Sequence, residues 1–183
     1  MKLLSEKFYE LETINIAKKL LGKYLVYNSE FGRLIGRIIE TEAYLQNDPA
    51  SHSFNGLTKR NKPMFEDPGK AYVYFTYGMH HCFNVVTQKK GIGEAVLICA
   101  LEPLEGIAIM QKNRKTTDVK NLCSGPAKLT QAFGITLNMN NWSLIKSQLR
   151  IMHNEKSTQQ EIITTKRVGI SKGKELKYRF LLS

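Results

Sequence analysis

The sequence predicts one domain in which antiparallel β-strands are combined with a few short helices. A chain of 183 residues with 42% hydrophobic side chains can bury one sizeable core but is short for two. Runs rich in β-branched and aromatic residues recur between clusters of turn residues, whereas helical spacing of apolar side chains occurs in only a few places. No repeat, low-complexity segment or linker divides the chain, so we expect a single domain over residues 1–183.

The first predicted elements are a helix and a pair of strands. Residues 13–21 place apolar side chains at helical spacing, and Gly22 is suited to ending the helix. Residues 23–27 and 33–44 are rich in Leu, Ile, Val and Tyr, and the turn residues between them predict two joined strands. Residues 45–69 contain Pro, Gly and Asn throughout, and a loop of this length in a compact domain is usually functional.

The middle of the chain predicts an antiparallel meander. Residues 70–76, 80–87 and 94–101 are rich in strand-forming side chains. The turn segments between them are short, which is typical of strands that lie side by side in one sheet.

The second half of the chain mixes helices and strands. Residues 104–114 are predicted to be helical after Pro103, and residues 126–133 form a second helix that ends before a glycine. Residues 162–170 and 177–182 are predicted strands in a strongly basic end of the chain.

The overall charge of the chain favours an acidic partner. Its 27 Lys and Arg residues outnumber its 16 Asp and Glu residues, which gives a formal net charge of +11. A basic surface attracts polyanions such as nucleic acid. A soluble basic protein without such a partner would have the same composition, so the charge indicates a partner class and no chemistry.

The apolar segments of the chain are all short. Residues 1–10 lack an apolar core of signal-peptide length, and no other stretch is long enough to cross a bilayer. We therefore expect a cytoplasmic protein.

The cysteine and histidine residues do not suggest a disulfide framework or a metal site. Cys82, Cys99 and Cys123 are odd in number and widely spaced, so we expect three reduced and mostly buried thiols. His80 and His81 are adjacent and would point to opposite faces of a strand. We expect no metal and no cofactor.

Two carboxylates stand in the long strand 33–44. Strict alternation would put Glu40 and Glu42 on the same face as Leu34 and Ile38, which is an unusual place for acids if that face packs on a core. They could pair with nearby Lys or Arg residues, or they could perform general acid–base catalysis. The strand pattern alone leaves both interpretations open.

A two-carboxylate glycosidase of the inverting type is one catalytic alternative. Glu40 and Glu42 should lie about 6.5–7 Å apart along the strand, a separation within the range used by such enzymes. Two acids side by side on one strand are, however, poorly placed to flank a sugar from opposite faces. This alternative also leaves the basic composition unexplained.

An aromatic run occupies the predicted meander. Tyr72 and Tyr74 should share one strand face, with Tyr77 at the following turn. Aromatic rings beside basic residues are suited to stacking nucleobases. Tyrosines in strands also serve simply as sheet surface or core, so this run alone does not decide between the two roles.

Taken together, the motifs resemble the alkyladenine (3-methyladenine) DNA glycosylase family. The resembling segments are 37–44 (RIIETEAY), 50–53 (ASHS), 59–61 (KRN), 64–65 (MF), 68–69 (PG), 72–74 (YVY), 77–79 (YGM), 100–106 (ALEPLEG), 122–126 (LCSGP) and 167–169 (RVG), together with Asn84. They occur in the order and approximate spacing of the family, from about Leu20 to the C-terminus.

The resemblance implies that Glu42 is the general base that activates the attacking water. Cleavage of a glycosidic bond proceeds through a sugar with oxocarbenium character, so a carboxylate can both stabilise that charge and accept a proton from water. A cationic alkylated purine is already a good leaving group, whereas a neutral purine needs protonation by an acid that the sequence does not reveal.

The resemblance also implies a base pocket and a DNA-contacting surface. A base inside a duplex must be rotated out of the stack before it can be excised. The implied pocket consists of Tyr44, His52 and Tyr74 around the flipped base, Asn84 against the exocyclic amine of normal guanine, and Ile170 nearby. The implied DNA contacts are Tyr77 as the wedge, with Met79 and His80 in the minor groove, and Arg60.

The fold implied by the resemblance is α+β, with a curved, partly barrel-like antiparallel sheet surrounded by helices, similar to the C-terminal domain of methionyl-tRNA formyltransferase. The implied activity is monofunctional excision of alkylated or deaminated purines from duplex DNA, by a monomer that would associate with the nucleoid in a bacterium. A non-catalytic nucleic-acid-binding module on the same architecture is the rival hypothesis.

The chain departs from the family at one position. The family often has an arginine immediately before the ALEP segment, where it helps to hold the catalytic water, and this chain has Cys99. A thiol offers neither a charge nor a fork of donors. We expect either that a cation from the basic C-terminal end replaces it or that the enzyme is slower or narrower in range.

Overall fold

The computed structural model describes residues 1–76, 78–155 and 161–183, and its centre is one antiparallel sheet. Among these residues the sheet has nine strands in the spatial order β1-β7-β2-β3-β6-β5-β4, with β9 joined to β3 and β8 joined to β9. The strands are β1 (Lys2–Leu3), β2 (Tyr24–Ser29), β3 (Gly32–Tyr44), β4 (Ala71–Thr76), β5 (His80–Val86), β6 (Ala95–Glu105), β7 (Leu149–His153), β8 (Ile162–Thr165) and β9 (Arg179–Leu182). The predicted α+β class with a curved antiparallel sheet is confirmed.

The helices pack around this sheet. They are α1 (Glu6–Tyr9), α2 (Thr13–Leu20), α3 (Ile107–Arg114) and α4 (Pro126–Phe133), with 3-10 turns at Lys62–Phe65, Val119–Asn121 and Leu137–Met139. Helix α4 has the predicted bounds because Pro126 preorganises its first turn and Gly134, at φ 67°, ends it in the left-handed conformation. None of the helices that the structure describes is long and apolar enough to traverse a bilayer.

The main core lies on one face of the sheet, under α2 and α4. Ile38, Phe83 and Ile98 from the strands and Leu20 and Phe133 from the helices are all buried in one cluster. Burying such apolar side chains removes their surface from water, which is the main force that stabilises the domain. The opposite face of β4, β5 and β6 is left free for polar and aromatic side chains.

A β-bulge in β3 corrects the predicted orientation of the carboxylates. The register of β3 against β6 shifts between Ile38 and Glu40 and again between Glu40 and Thr41. Because such an irregularity changes which side chains face each way, Ile38 and Ala43 share the core although their numbers differ in parity. Glu42 therefore does not lie on the face of Ile38, as strict alternation predicted, but on the opposite face.

Several predicted boundaries were wrong. Strand β6 continues to Glu105 because it stays paired with β3, and the helix predicted to begin at residue 104 begins after the turn at Gly106. The strand predicted over residues 162–170 ends at Thr165, and the one predicted from residue 177 begins at Arg179. The prediction also missed β1, α1 and β7, which are short or lack a clear local pattern.

Candidate active site

A cavity of about 340 Å³ opens on the face of the sheet that is turned away from the core. Strands β3 to β6, the loop of residues 45–69 and the segment after β8 all contribute to its walls. Of the residues predicted to form the site, the structure brings together Glu42, Tyr44, His52, Tyr74, Asn84 and Ile170 in this cavity.

Glu42 is a buried carboxylate with both oxygens held in place. The residue is only 3% exposed. Its Oε2 accepts a hydrogen bond of 2.8 Å from the Tyr44 hydroxyl, and its Oε1 accepts one of 3.2 Å from the backbone N–H of Val168. Burial raises the pKa of Glu42, while the two hydrogen bonds and the positive charge of Arg167 oppose that rise. The arrangement suits a proton acceptor whose orientation is set before substrate binds.

A fully buried guanidinium lies behind Tyr44. Arg167 forms an ion pair with Asp48 and donates a further hydrogen bond of 3.0 Å to the carbonyl oxygen of Ala43. The guanidinium carbon also lies 4.7 Å from the centroid of the Tyr44 ring, a cation–π distance. Tyr44 thus contacts both this cation, through its ring, and Glu42, through its hydroxyl.

The opposite wall of the cavity is aromatic. His52 Nδ1 and the Tyr72 hydroxyl are 2.8 Å apart, and the rings of His52 and Tyr74 have centroids 4.6 Å apart. Burial, followed by the charge of Arg60, lowers the pKa of His52, and burial raises the pKa of Tyr72 to about 12. These side chains are therefore uncharged at neutral pH and offer π-faces to a planar ligand.

Asn84 is held rigidly among these rings. It is buried on β5, and its Nδ2 donates a hydrogen bond of 3.0 Å to the carbonyl oxygen of Tyr72 on β4. An amide with a fixed orientation can discriminate between ligands by the donors and acceptors that they present.

The floor of the cavity is formed by small neutral groups. Cys82 and Cys99 pack together with Leu97, and both thiols have a raised pKa because they are buried. All three cysteines are free and buried, as predicted. Cys99 thus stands at the cavity as an uncharged side chain.

Two cations from the C-terminal end of the chain lie near Glu42. One is Arg167, and the other is Arg179, whose Nε donates a hydrogen bond of 2.7 Å to Glu40. Each guanidinium is thus held by a carboxylate other than Glu42. Within the described part of the chain, no three His, Cys, Asp or Glu side chains are grouped so that they could hold a metal ion.

Three of the residues predicted to contact DNA are described by the structure, and they lie outside the cavity. Met79 is 68% exposed and lies with His80 beside α4, in a second groove. Arg60 lies 5.4 Å from the ring centroid of Tyr74. Tyr77 lies outside the residues that the structure describes.

Two cavity residues, Tyr72 and Cys82, were not among the predicted pocket residues. Tyr72 had been placed on the strand face of Tyr74, and the same period of two puts Cys82 on the face of Asn84. Asp48 had no such signal, because its partner Arg167 is 119 residues away in the chain.

The fold and the cavity define a basic α+β protein with a preformed, aromatic-lined pocket next to an oriented carboxylate. Residues 7–183 match the family model described as "Methylpurine-DNA glycosylase (MPG)". The chain belongs to the methylpurine-DNA glycosylase family.

Curated relatives from distant organisms are similar over nearly their whole length. A protein of Francisella tularensis subsp. tularensis (strain FSC 198) is 53% identical over 182 residues, which cover 97% of this chain and 93% of the relative. One of Carboxydothermus hydrogenoformans is 51% identical over 181 residues, covering 98% and 95%. One of Methanoculleus marisnigri is 51% identical over 178 residues, covering 96% and 92%. Each is named "Putative 3-methyladenine DNA glycosylase".

Proposed function

We propose that this protein is a monofunctional DNA glycosylase that excises alkylated or deaminated purines from duplex DNA and leaves an abasic site. The observation that carries the proposal is the buried carboxylate of Glu42, oriented by Tyr44 and Val168 at an aromatic cavity. Membership of the methylpurine-DNA glycosylase family supports the substrate class.

The proposed reaction is hydrolysis of the bond between the anomeric carbon and the purine nitrogen. Glu42 accepts a proton from a water molecule, and the water oxygen forms a bond to the anomeric carbon. The electron pair of the breaking carbon–nitrogen bond leaves with the purine. The products are the free base and a sugar with a hydroxyl group at the anomeric carbon, and the carboxyl group then returns its proton to solvent.

The charge of the leaving base should govern the rate. A cationic base such as 3-methyladenine or 7-methylguanine departs as a neutral molecule, whereas hypoxanthine and ethenoadenine need a proton. Among the residues that line the cavity, His52 has a lowered pKa and Tyr74 a raised one, so neither readily supplies that proton at neutral pH. We expect cationic purines to be released faster.

The proposed recognition of substrate uses base flipping. The flipped purine would stack between Tyr44 and the pair His52 and Tyr74, with Asn84 excluding normal guanine and Ile170 against its edge. By family resemblance, Tyr77 would fill the gap in the duplex, flanked by Met79 and His80, while Arg60 would contact the backbone. The net charge of +11 supports association with duplex DNA.

The alternatives weighed from the sequence are less well supported. An inverting glycosidase needs a second available carboxylate, but Glu40 is engaged in the ion pair with Arg179. A binding module without catalytic activity would gain nothing from burying Glu42 in a base pocket, where it would repel phosphate.

Substitution Glu42→Gln tests the proposal. The variant keeps the shape of the side chain but cannot accept the proton, so we expect release of 3-methyladenine to fall by about 10²–10⁴-fold while binding to the damaged duplex persists. The matched control is Glu105→Gln, a surface carboxylate paired with Arg33. Undiminished base release by Glu42→Gln, measured as free base from duplexes carrying 3-methyladenine, hypoxanthine or ethenoadenine, would refute the assigned role. Strand cleavage, or a covalent adduct trapped by borohydride, would refute the monofunctional mechanism.

A further inference from the structure

A buried ion pair connects two distant parts of the chain beside the cavity. Asp48 follows β3 and Arg167 follows β8, and their side chains are 1% and 0% exposed. One terminal nitrogen of Arg167 binds Asp48 Oδ2 and the other donates a hydrogen bond of 3.0 Å to Oδ1, so the pair is bidentate. Desolvation makes a buried ion pair a poor source of net stability compared with apolar packing. Net stability therefore does not explain why the ion pair is buried here, whereas its contacts with neighbouring groups can.

Both hydrogen bonds that orient Glu42 depend on the surroundings of this ion pair. Val168, which donates to Oε1 of Glu42, is the residue immediately after Arg167. Tyr44, which donates to Oε2, has its ring against the guanidinium at 4.7 Å. On another side the same guanidinium lies 5.4 Å from the ring of Tyr178. Fixing Arg167 thus fixes one donor through the backbone and the other through its ring.

We infer that Arg167 and Asp48 are positioning residues for base excision, which hold Tyr44 and Val168 in place and through them orient the carboxylate of Glu42. The inference rests on the proposed role of Glu42 as the general base. Asp48 is itself fixed in a tight turn, because its backbone N–H donates a hydrogen bond of 3.1 Å to the carbonyl oxygen of Leu45. It can therefore anchor the guanidinium of Arg167.

The electrostatic consequence follows from the groups around Glu42. Those that face it are Tyr44 and Glu40 from β3, Cys82 from β5, Cys99 from β6, Arg179 from β9, and Val168 and Arg167 from the segment after β8. Of the two cations, Arg179 is paired with Glu40. Arg167 favours the ionised form of Glu42, so its removal should raise the pKa of Glu42 and reduce the fraction that can accept a proton.

The test compares Arg167→Met, Arg167→Lys and Asp48→Asn with the parent chain. The matched control is Arg33→Met, which breaks a bidentate ion pair of the same type with Glu105 on the surface. Base release is measured in single turnover with the enzyme in saturating excess, because that rate constant does not depend on the folded fraction. Rates are recorded against pH, together with thermal melting and affinity for the damaged duplex.

For Arg167→Met we expect the rate constant to fall by about a hundredfold, as for a catalytic group that is misplaced by about 1 Å, and the acid limb of the pH profile to move to higher pH. Arg167→Lys keeps the charge but loses the fork of donors, so the rate should fall without that shift. Asp48→Asn should also lower the rate and should not move the acid limb upward. The control should match the parent, and duplex affinity should change less than threefold.

If Arg167 and Asp48 had a merely structural role, their substitution would lower the melting temperature but leave the rate constant and the acid limb of the pH profile unchanged. That result would overturn the inference. If Arg167→Met does not fold, parental rate constants in both Arg167→Lys and Asp48→Asn would overturn it as well. Failure of the proposed function itself is distinguishable, because then the parent chain would release no methylated purine, or Glu42→Gln would release it at the parental rate.

Discussion

The hydroxyl of Tyr44 donates a hydrogen bond of 2.8 Å to Oε2 of Glu42, two residues earlier in the same strand. Residues at this spacing share one face of a strand, and the bulge near Glu40 turns that face toward the cavity. The two side chains therefore form a unit whose geometry is determined by a single strand, with the phenol supporting the ionised form of the carboxyl group.

Substitution Tyr44→Phe should weaken catalysis in a pH-dependent way. The phenyl ring keeps the wall of the cavity but removes the hydrogen bond that lowers the pKa of Glu42. The pKa of Glu42 should rise, so the acid limb of the pH profile for base release should move to higher pH. The loss of activity should be largest at pH values just above the acid limb of the parent. The pH dependence of single-turnover base release measures the effect, with Tyr27→Phe on β2 as the control. An acid limb identical to that of the parent would contradict this role of the phenol.

The parts of the fold that local sequence determines were predictable. Strand periodicity put Tyr74 on one face with Tyr72, whereas the pocket role of Asn84 came from the family resemblance; both residues reach the cavity. Helix α4 begins at Pro126 and ends before Gly134, as their backbone preferences require. For the strand face of Tyr74 and the bounds of α4, the necessary information lies within a few residues.

The parts that depend on pairing between distant segments were not predictable. The bulge in β3 arises from its register against β6, which brings residues about 60 positions apart into contact, as in the pair of Ile38 with Leu101. Strand β7 is stabilised by pairing with β2, and its five residues are too short a run to be recognised as a strand from sequence alone. The partnership of Asp48 and Arg167 likewise spans 119 residues. Only the three-dimensional structure reveals such relationships.

Glu42→Gln should stabilise the folded protein at neutral pH. Because burial raises the pKa of Glu42 in the folded state, the folded state binds a proton more readily than the unfolded state. The stability that this group contributes is therefore present below the ordinary Glu pKa and is lost as pH rises toward the raised folded value, so the ionised group costs stability at higher pH. A neutral amide avoids that cost; its oxygen can accept the hydrogen bond from Val168 N–H, and its Nε2 can donate to the hydroxyl oxygen of Tyr44.

Thermal denaturation at neutral and acidic pH measures this effect. The variant should melt at a higher temperature than the parent near pH 7, and the difference should disappear below the ordinary Glu pKa of about 4.3. Glu105→Gln provides the contrast, because ion pairing with Arg33 lowers the pKa of that exposed carboxyl group. An equal or lower melting temperature for Glu42→Gln at pH 7 would show that the buried charge is not costly.

Gly69→Ala should destabilise the junction between the long loop and β4. Gly69 has φ of 74°, and an added Cβ would lie 2.8 Å from Cδ2 of Tyr9, a fully buried ring. The substitution therefore combines the backbone cost of a left-handed non-glycine residue, about 1–2 kcal/mol, with a steric clash against the core. Gly56→Ala separates the two terms, since Gly56 has φ of 85° and nothing within 4 Å of an added Cβ. Urea denaturation should show a larger loss of unfolding free energy for Gly69→Ala than for Gly56→Ala. Equal losses would mean that the ring of Tyr9 moves aside without cost, and that the packing of α1 against this loop is looser than its burial indicates.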